Sequence, residues 1–224
     1  MKILPLDFNT LEISENIFFE SSKEFMHIDS LSITASKNWS SYGITVKSPC
    51  IISPFHPQKE GLTEKITVRL ANGLAAVEEA DHVDTVTIAG MGGPLIVSIL
   101  EKHPEKLNGV TRLILQPNIH AKVIREWALA HNWAIQDEEI LEEDEKIYEI
   151  LVLQRSTMTL TEPEILFGPK LMQRKSAAFI KKWSREKENW QRVLKSIEGA
   201  DQTAEIEEKR AELVALLNLV EGVL

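Results

Sequence analysis

Three short stretches hold the residue types that could do chemistry, and each follows an aliphatic or β-branched run where a strand would end. Ala89-Gly90-Met91-Gly92-Gly93 follows Val83–Ile88 and leads at once into an apolar helical pattern, Leu95, Ile96, Ile99 and Leu100. Glycines there supply positive φ or let backbone approach a ligand closely, and open α/β sheets bind ligands at the carboxyl ends of their strands. The same glycines could make a turn and nothing more. Neither G-x-G-x-x-G nor a Gly-Lys-Ser/Thr phosphate loop can be read in them.

The second stretch is Gln116-Pro117-Asn118, after the strand pattern Arg112–Gln116. Proline fixes φ and removes a donor, while the two amides offer both donors and acceptors. Such a pair could grip the Watson–Crick edge of a base; the alternative is that Asn118 caps the following helix, Ile119–His131. The third stretch is Asn72-Gly73, either a plain turn or a side-chain acceptor and backbone N–H for an adenine ring. The six histidines show no metal spacing, and no G-x-S-x-G or other nucleophile motif is present. No metal is expected.

The elements that must position these residues alternate cleanly from residue 61 to 155. The pattern reads Ile66–Leu70 strand, Leu74–Ala80 helix, Val83–Ile88 strand, Gly93–Lys102 helix, Arg112–Gln116 strand and Ile119–His131 helix. Two strand-like runs, Trp133–Leu141 and Ile147–Gln154, close the region with acidic turn residues between them. Strand-helix alternation implies a parallel sheet with helices on its faces, so the fold class is α/β and Rossmann-like. Two consecutive strands without a helix between them must pair as a hairpin, one of them antiparallel to the rest. By analogy of fold, that ending favours methyltransferases that use S-adenosylmethionine over dehydrogenases.

Flanking regions differ in texture. Residues 1–60 contain ten serines and no arginine, and show no clear alternation. After Phe167-Gly168-Pro169, Lys170–Ile197 carries a helical stripe (Leu171, Ala178, Phe179, Trp183, Trp190, Leu194, Ile197), and Thr203–Val220 a second. The short link at Glu198-Gly199-Ala200-Asp201 predicts an antiparallel helical hairpin, coiled-coil-like, either an RNA-contacting domain or a plain stabilising appendage. Domains are thus expected at 1–160 and 161–224.

Charge refines this picture. The net charge of -9 argues against a nucleic-acid partner only if it is evenly spread. It is not: Lys170–Lys195 holds nine Lys/Arg against two Glu, whereas Asp137–Glu149 is strongly acidic. Local charge is what phosphates meet. Cys50 is the only cysteine, which excludes an internal disulfide. With no apolar run of about 18 residues and no signal-peptide pattern at the start, a cytoplasmic protein without a membrane partner is expected.

Taken in order, "EGLTEKITVRLANGLAAVE", "TIAGMGG", "RLILQPNIHAKVIREW", "EEILEEDEKIYEILVL", "FGPKL" and "FIKKW" resemble the bacterial tRNA (adenine(22)-N1)-methyltransferase family from about Glu60 to the C-terminus. The resemblance implies a class I S-adenosyl-L-methionine-dependent fold whose C-terminal helical domain helps hold tRNA. It implies S-adenosyl-L-methionine as cofactor and tRNA as partner. On that reading Asn72, Gly73, Ala89, Gly90, Met91 and Gly92 face the cofactor, and Gln116, Pro117 and Asn118 are the catalytic stretch at the target base. Arg125, Lys170, Arg174, Lys181, Lys182 and Arg185 meet RNA phosphates. The chain departs from the family before residue 58. The family's Asp-x-Gly-Ser-Asp-His-type cofactor loop is replaced by "EFMHIDSLSITASKNW", and its ribose-holding acid is missing from "YGITVKSP". Residues 1–58 therefore read as frame-slipped or degenerate. The competing readings are a non-catalytic RNA-binding remnant of the family and a nucleotide-dependent oxidoreductase.

Overall fold

The computed structural model describes residues 32–37, 41–45 and 66–69 through their strand pairing, and residues 71–143, 145–198 and 203–224 in full. The expectations for residues 1–31 and 46–65, the missing cofactor loop and ribose acid among them, lie largely outside the described residues. The chain forms two compact units, Met1–Ile119 and His120–Leu224.

The first unit is built on strands β1 (Ser32–Lys37), β2 (Ser41–Thr45), β3 (Ile66–Arg69), β4 (Thr85–Gly92) and β5 (Arg112–Ile119), in the order β3-β2-β1-β4-β5. β4 and β5 are parallel, as are β2 and β3. The crossover from β4 to β5 is helix α1 (Gly93–Lys102), with Pro94 in its first turn, where a missing N–H costs nothing. Its buried face, Gly93, Ile96, Ile99 and Leu100, follows helical spacing. Val86 and Ile88 of β4 and Leu113 and Leu115 of β5 are fully buried, alternating along each strand as period two requires.

Three features differ from expectation. The segment 74–80 forms two 3-10 turns, Gly73–Ala76 and Glu79–Asp81, because Val77 and Glu78 are extended and His82 is left-handed with φ 49°. Second, β1 and β2 arise where no element was expected: SITASK and SYGIT hold too few apolar residues to show a period. Third, β1 is antiparallel to both its neighbours, with Ser32 opposite Ala89 and Ser36 opposite Thr85. Its carboxyl end therefore lies beside the start of β4, away from the glycines.

The second unit opens with α2 (Ala121–Ala130) and the expected antiparallel hairpin, β6 (Trp133–Glu143) with β7 (Lys146–Arg155). Residues 162–197 form three helices: α3 (Glu162–Phe167), α4 (Pro169–Arg174) and α5 (Ala177–Ile197). The predicted continuous helix breaks at Lys175, left-handed with φ 42°, and restarts at Ser176, whose hydroxyl caps the Phe179 N–H. α6 (Ala204–Val223) begins at Thr203, whose hydroxyl accepts from the Ile206 N–H. Phe179 and Trp183, near the start of α5, cluster with Val220 and Val223 at the end of α6, and Lys187 pairs with Glu221 at 3.0 Å. These helices are therefore antiparallel. Phe167 meets the Trp183 ring edge-on, centroids 4.5 Å apart. Each such side chain contributes roughly 1.5–3 kcal/mol by leaving water.

Candidate functional site

The glycine stretch is not a turn between strand and helix. β4 runs on through Gly92, slipping register against β5 on either side of Met91. This bulge is made possible by Gly90, whose φ of +78° disfavours a side chain, and a Cβ there would meet nothing within 4 Å. Met91 turns its side chain inward and is buried, so only its backbone reaches the open edge. Gly92 lies next to Ile119, which is 60% exposed.

Across the bulge, the Gly90 N–H donates to Gln116 Oε1 at 2.8 Å, and Gln116 Nε2 donates to Asn118 Oδ1 at 3.2 Å. Gln116 is half-buried, Pro117 buried and Asn118 exposed, all within β5. Asn118 does not cap the helix. That position belongs to His120, left-handed with φ 61° and without a side-chain cap bond. The structure thus brings the glycine stretch and the amide pair to one carboxyl edge.

Asn72 is exposed at the start of its 3-10 turn, with no side-chain cap bond. Gly73 has φ +63°, and a Cβ there would sit 3.0 Å from Ile99 Cγ2, so this position needs glycine twice over. Gly73 packs on α1, and neither residue takes part in the Gly90–Gln116–Asn118 hydrogen bonds.

The basic residues proposed for RNA fare differently. Arg125 is corrected: it is wholly buried, its Nε 2.7 Å from Glu138 Oε1 and its Nη2 2.6 Å from Glu149 Oε2, and it cannot meet a phosphate. The acidic hairpin also answers much of the basic segment. Arg174 pairs with Asp137 at 2.6 Å and Glu139 at 3.4 Å, Lys181 pairs with Glu142, and Lys182 pairs with Glu149. Lys170 is half-buried, and its backbone N–H donates to Glu138 Oε2 at 3.0 Å. Arg185 is exposed and has no ion pair among the described residues.

This buried cluster was missed in the sequence, though its signal was there. Glu138 and Glu149 occupy inward positions of β6 and β7, in phase with Ile140 and with Leu151 and Leu153. Arg125 likewise sits among Ile124, Trp127 and Ala128 on the buried face of α2. Burial works against all three charges. For Arg125, burial alone would lower the pKa, but Glu149 and Glu138 outweigh it and raise it. Burial pushes Glu138 up despite Arg125. Burial also opposes the charge on Glu149, but Arg125 and Lys182 together hold its pKa below the ordinary value. Gly168 closes the cluster: with φ +90°, its missing Cβ would stand 2.6 Å from Arg125 Nη2 and 2.7 Å from Glu138 Oε1.

A parallel β4–α1–β5 unit with an open carboxyl edge, and a terminal antiparallel hairpin, define a Rossmann-like α/β protein of the methyltransferase type. Comparison with known proteins sharpens that class. The family model for tRNA (adenine(22)-N(1))-methyltransferase matches residues 48–221. The chain is 39% identical over 188 residues to the tRNA (adenine(22)-N(1))-methyltransferase of Bacillus subtilis, covering 81% of this chain and 79% of that one. A solved Streptococcus pneumoniae protein, a putative tRNA (m1A22) methyltransferase in complex with S-adenosyl-L-methionine, is 42% identical. Its TM-score is 0.70, with 81% of this chain and 78% of that chain covered. An uncharacterized Listeria monocytogenes protein is 48% identical with TM-score 0.72, over 75% of this chain and 74% of that one. The chain belongs to the tRNA (adenine(22)-N(1))-methyltransferase family.

Proposed function

We propose that this chain transfers a methyl group from S-adenosyl-L-methionine to N1 of an adenine in tRNA, at the carboxyl edge of β4 and β5. The observation that carries the reading is the hydrogen-bonded chain from Gly90 through Gln116 to Asn118, which orders amide groups beside an open glycine. The cofactor supplies a methyl group on a positively charged sulfur. Adenine N1 has a lone pair and needs little activation, so the protein's task is alignment, which supplies up to roughly 7–11 kcal/mol in favourable systems. Gly90 offers space for close approach, Gln116 holds Asn118, and Asn118 orients the base. Asn72 and Gly73 are suited to the adenine end of the cofactor, one with an exposed side chain that makes no cap bond, the other with a backbone free of a side chain. Once N1 is methylated, an N6 proton must leave to restore a neutral ring.

In the division of labour we infer, residues 1–160 hold cofactor and base, while residues 161–224 contact RNA through Arg185, aided by Lys170, Arg174, Lys181 and Lys182. For a chain that acts on tRNA we infer a cytoplasmic location. No described helix is long and apolar enough to cross a membrane.

One observation favours a second reading, a non-catalytic RNA-binding relative. Because β1 is antiparallel to β4, its carboxyl end lies at the edge away from Gly90, and among the described residues those that fit the cofactor come from β4, β5 and the Asn72-Gly73 turn. Calorimetric titration with S-adenosyl-L-methionine, followed by methyl transfer to unmodified tRNA read by mass spectrometry, separates the two. Cofactor binding and N1-methyladenine formation support the enzyme; tRNA binding by a folded chain that takes no cofactor selects the relative. Asn118→Ala should lower transfer far more than tRNA affinity, and equal losses would remove its proposed role.

A further inference from the structure

We propose that Gln116 and Asn118 form a polarity-locked relay that reads the Hoogsteen edge of the target adenine, N6 and N7, and leaves N1 clear for methylation. This rests on the methyl-transfer reading above. Ordinarily the two ends of an amide side chain are interchangeable in shape, and either could face a ligand. Here they are not interchangeable, because the relay starts from a backbone N–H. Gly90 can only donate, so the Gln116 atom 2.8 Å away must be its oxygen. The other end of that amide is then an NH2 group, which can only donate, and the Asn118 atom 3.2 Å from it must be Oδ1. Each link fixes the next.

Asn118 is exposed, and Gln116 occupies one lone pair of its Oδ1. Its second lone pair and both Nδ2 hydrogens have no partner among the described residues. A side chain presenting one acceptor and one donor matches adenine N6–H and N7, the bidentate pairing that asparagine makes with adenine. The Watson–Crick edge expected from sequence is ruled out by the reaction itself. A donor placed on N1 would tie up the lone pair that must take the methyl group. Guanine fails twice at such a site: its O6 would face Oδ1, acceptor against acceptor, and its N1 carries a hydrogen. The locked amide would therefore choose adenine without touching the reacting atom. Gln116 is a positioning residue in this scheme, acting through Asn118.

The test compares the full chain on tRNA carrying adenine or 7-deazaadenine at the methylated position. Replacing N7 by CH removes the acceptor and makes the ring more electron-rich, so a fall in transfer cannot come from a weaker N1 nucleophile. We expect kcat/KM to fall about tenfold on the 7-deaza substrate, the size of one lost hydrogen bond. Gln116→Glu still accepts from Gly90 but cannot donate to Asn118, which then turns its Nδ2 toward the carboxylate. The 7-deaza penalty should shrink to less than about twofold. Equal transfer by the unaltered chain to both substrates, with adenine methylated normally, overturns the inference and leaves the methyltransferase reading intact. So does a Gln116→Glu variant that keeps the full penalty. The first comparison needs no variant, and failure to methylate either substrate removes both readings.

Discussion

Arg125 Nε lies 2.7 Å from Glu138 Oε1, and neither side chain has any exposure to solvent. The pair joins α2 to the terminal hairpin, and it is enlarged on every side. Nη2 reaches Glu149, Nη1 reaches the Ile165 and Leu166 carbonyls at the end of α3, and Glu138 also takes the Lys170 N–H at the start of α4. One guanidinium thus satisfies the last carbonyls of a short helix and two carboxylates at once. Its planar fork of five donors suits that task in a way an ammonium cannot match.

Removing Arg125 should therefore leave two buried carboxylates without their main counter-charge. Arg125→Met is expected to destabilise the chain by about 3–5 kcal/mol in urea unfolding. Arg125→Lys should recover only part of that loss, because an ammonium cannot donate in the fork geometry. If both variants unfold with the unaltered midpoint, the pair carries no stability.

Acid should act through Glu149 in particular. Its pKa is lowered, since Arg125 and Lys182 outweigh its burial. A lowered carboxyl contributes stability that is present above the unfolded value of 4.5 and is lost as pH falls through the folded value. Glu138 has the opposite sign, being raised by burial, and its share is lost as pH rises instead. The fall in Tm from about pH 6 to about pH 3 should accordingly be shallower in Glu149→Gln than in the unaltered chain. Parallel curves for the two proteins would count against this assignment.

Two glycines with positive φ give a contrast. Gly168→Ala sets a methyl group 2.6–2.8 Å from the charged ends of Arg125 and Glu138, both buried and held by other partners. Backbone strain and disruption of the pair together should cost about 2–4 kcal/mol. Gly90→Ala has only the strain, about 1–3 kcal/mol, because its Cβ would point into open space. If that space is where ligand lies, Gly90→Ala should weaken cofactor or tRNA binding, while Gly168→Ala should not once the variant is folded. Thermal unfolding and calorimetry on both variants decide the matter.

What the sequence made legible follows from how local each signal is. Helix α1 was bounded correctly at Gly93 and Lys102, since glycine, proline and a strong apolar stripe all act within one turn. The parallel β4–β5 pair and the terminal hairpin followed from alternation and from two strands with no helix between them. The candidate site was legible as residue types, Gly90, Gln116 and Asn118, but not as a relay, because the Gly90–Gln116 bond spans 26 residues. Arg125 was misjudged for a related reason. Its charge was read locally, whereas its partners Glu138 and Glu149 lie 13 and 24 residues away on the two strands of the hairpin. The acidic stretch 137–149 and the basic stretch 170–195 were each visible, and their pairing was not. β1 and β2 left no trace because SITASK and SYGIT hold only two apolar residues each, too few to show a period.

That pairing sets the expected salt dependence of RNA binding. A cation already neutralised by a carboxylate releases few counterions when it meets a phosphate, so the nine basic residues between Lys170 and Lys195 should count for fewer than nine. Arg185, exposed and without an ion pair among the described residues, should behave as one full contact. In tRNA binding measured across salt concentrations, Arg185→Ala should reduce the slope of log affinity against log salt by about one. Lys182→Ala should reduce it less, because its ammonium is committed to the buried Glu149. A larger slope change for Lys182 than for Arg185 would mean that the ion pair opens on binding, and that RNA competes with the hairpin for these cations.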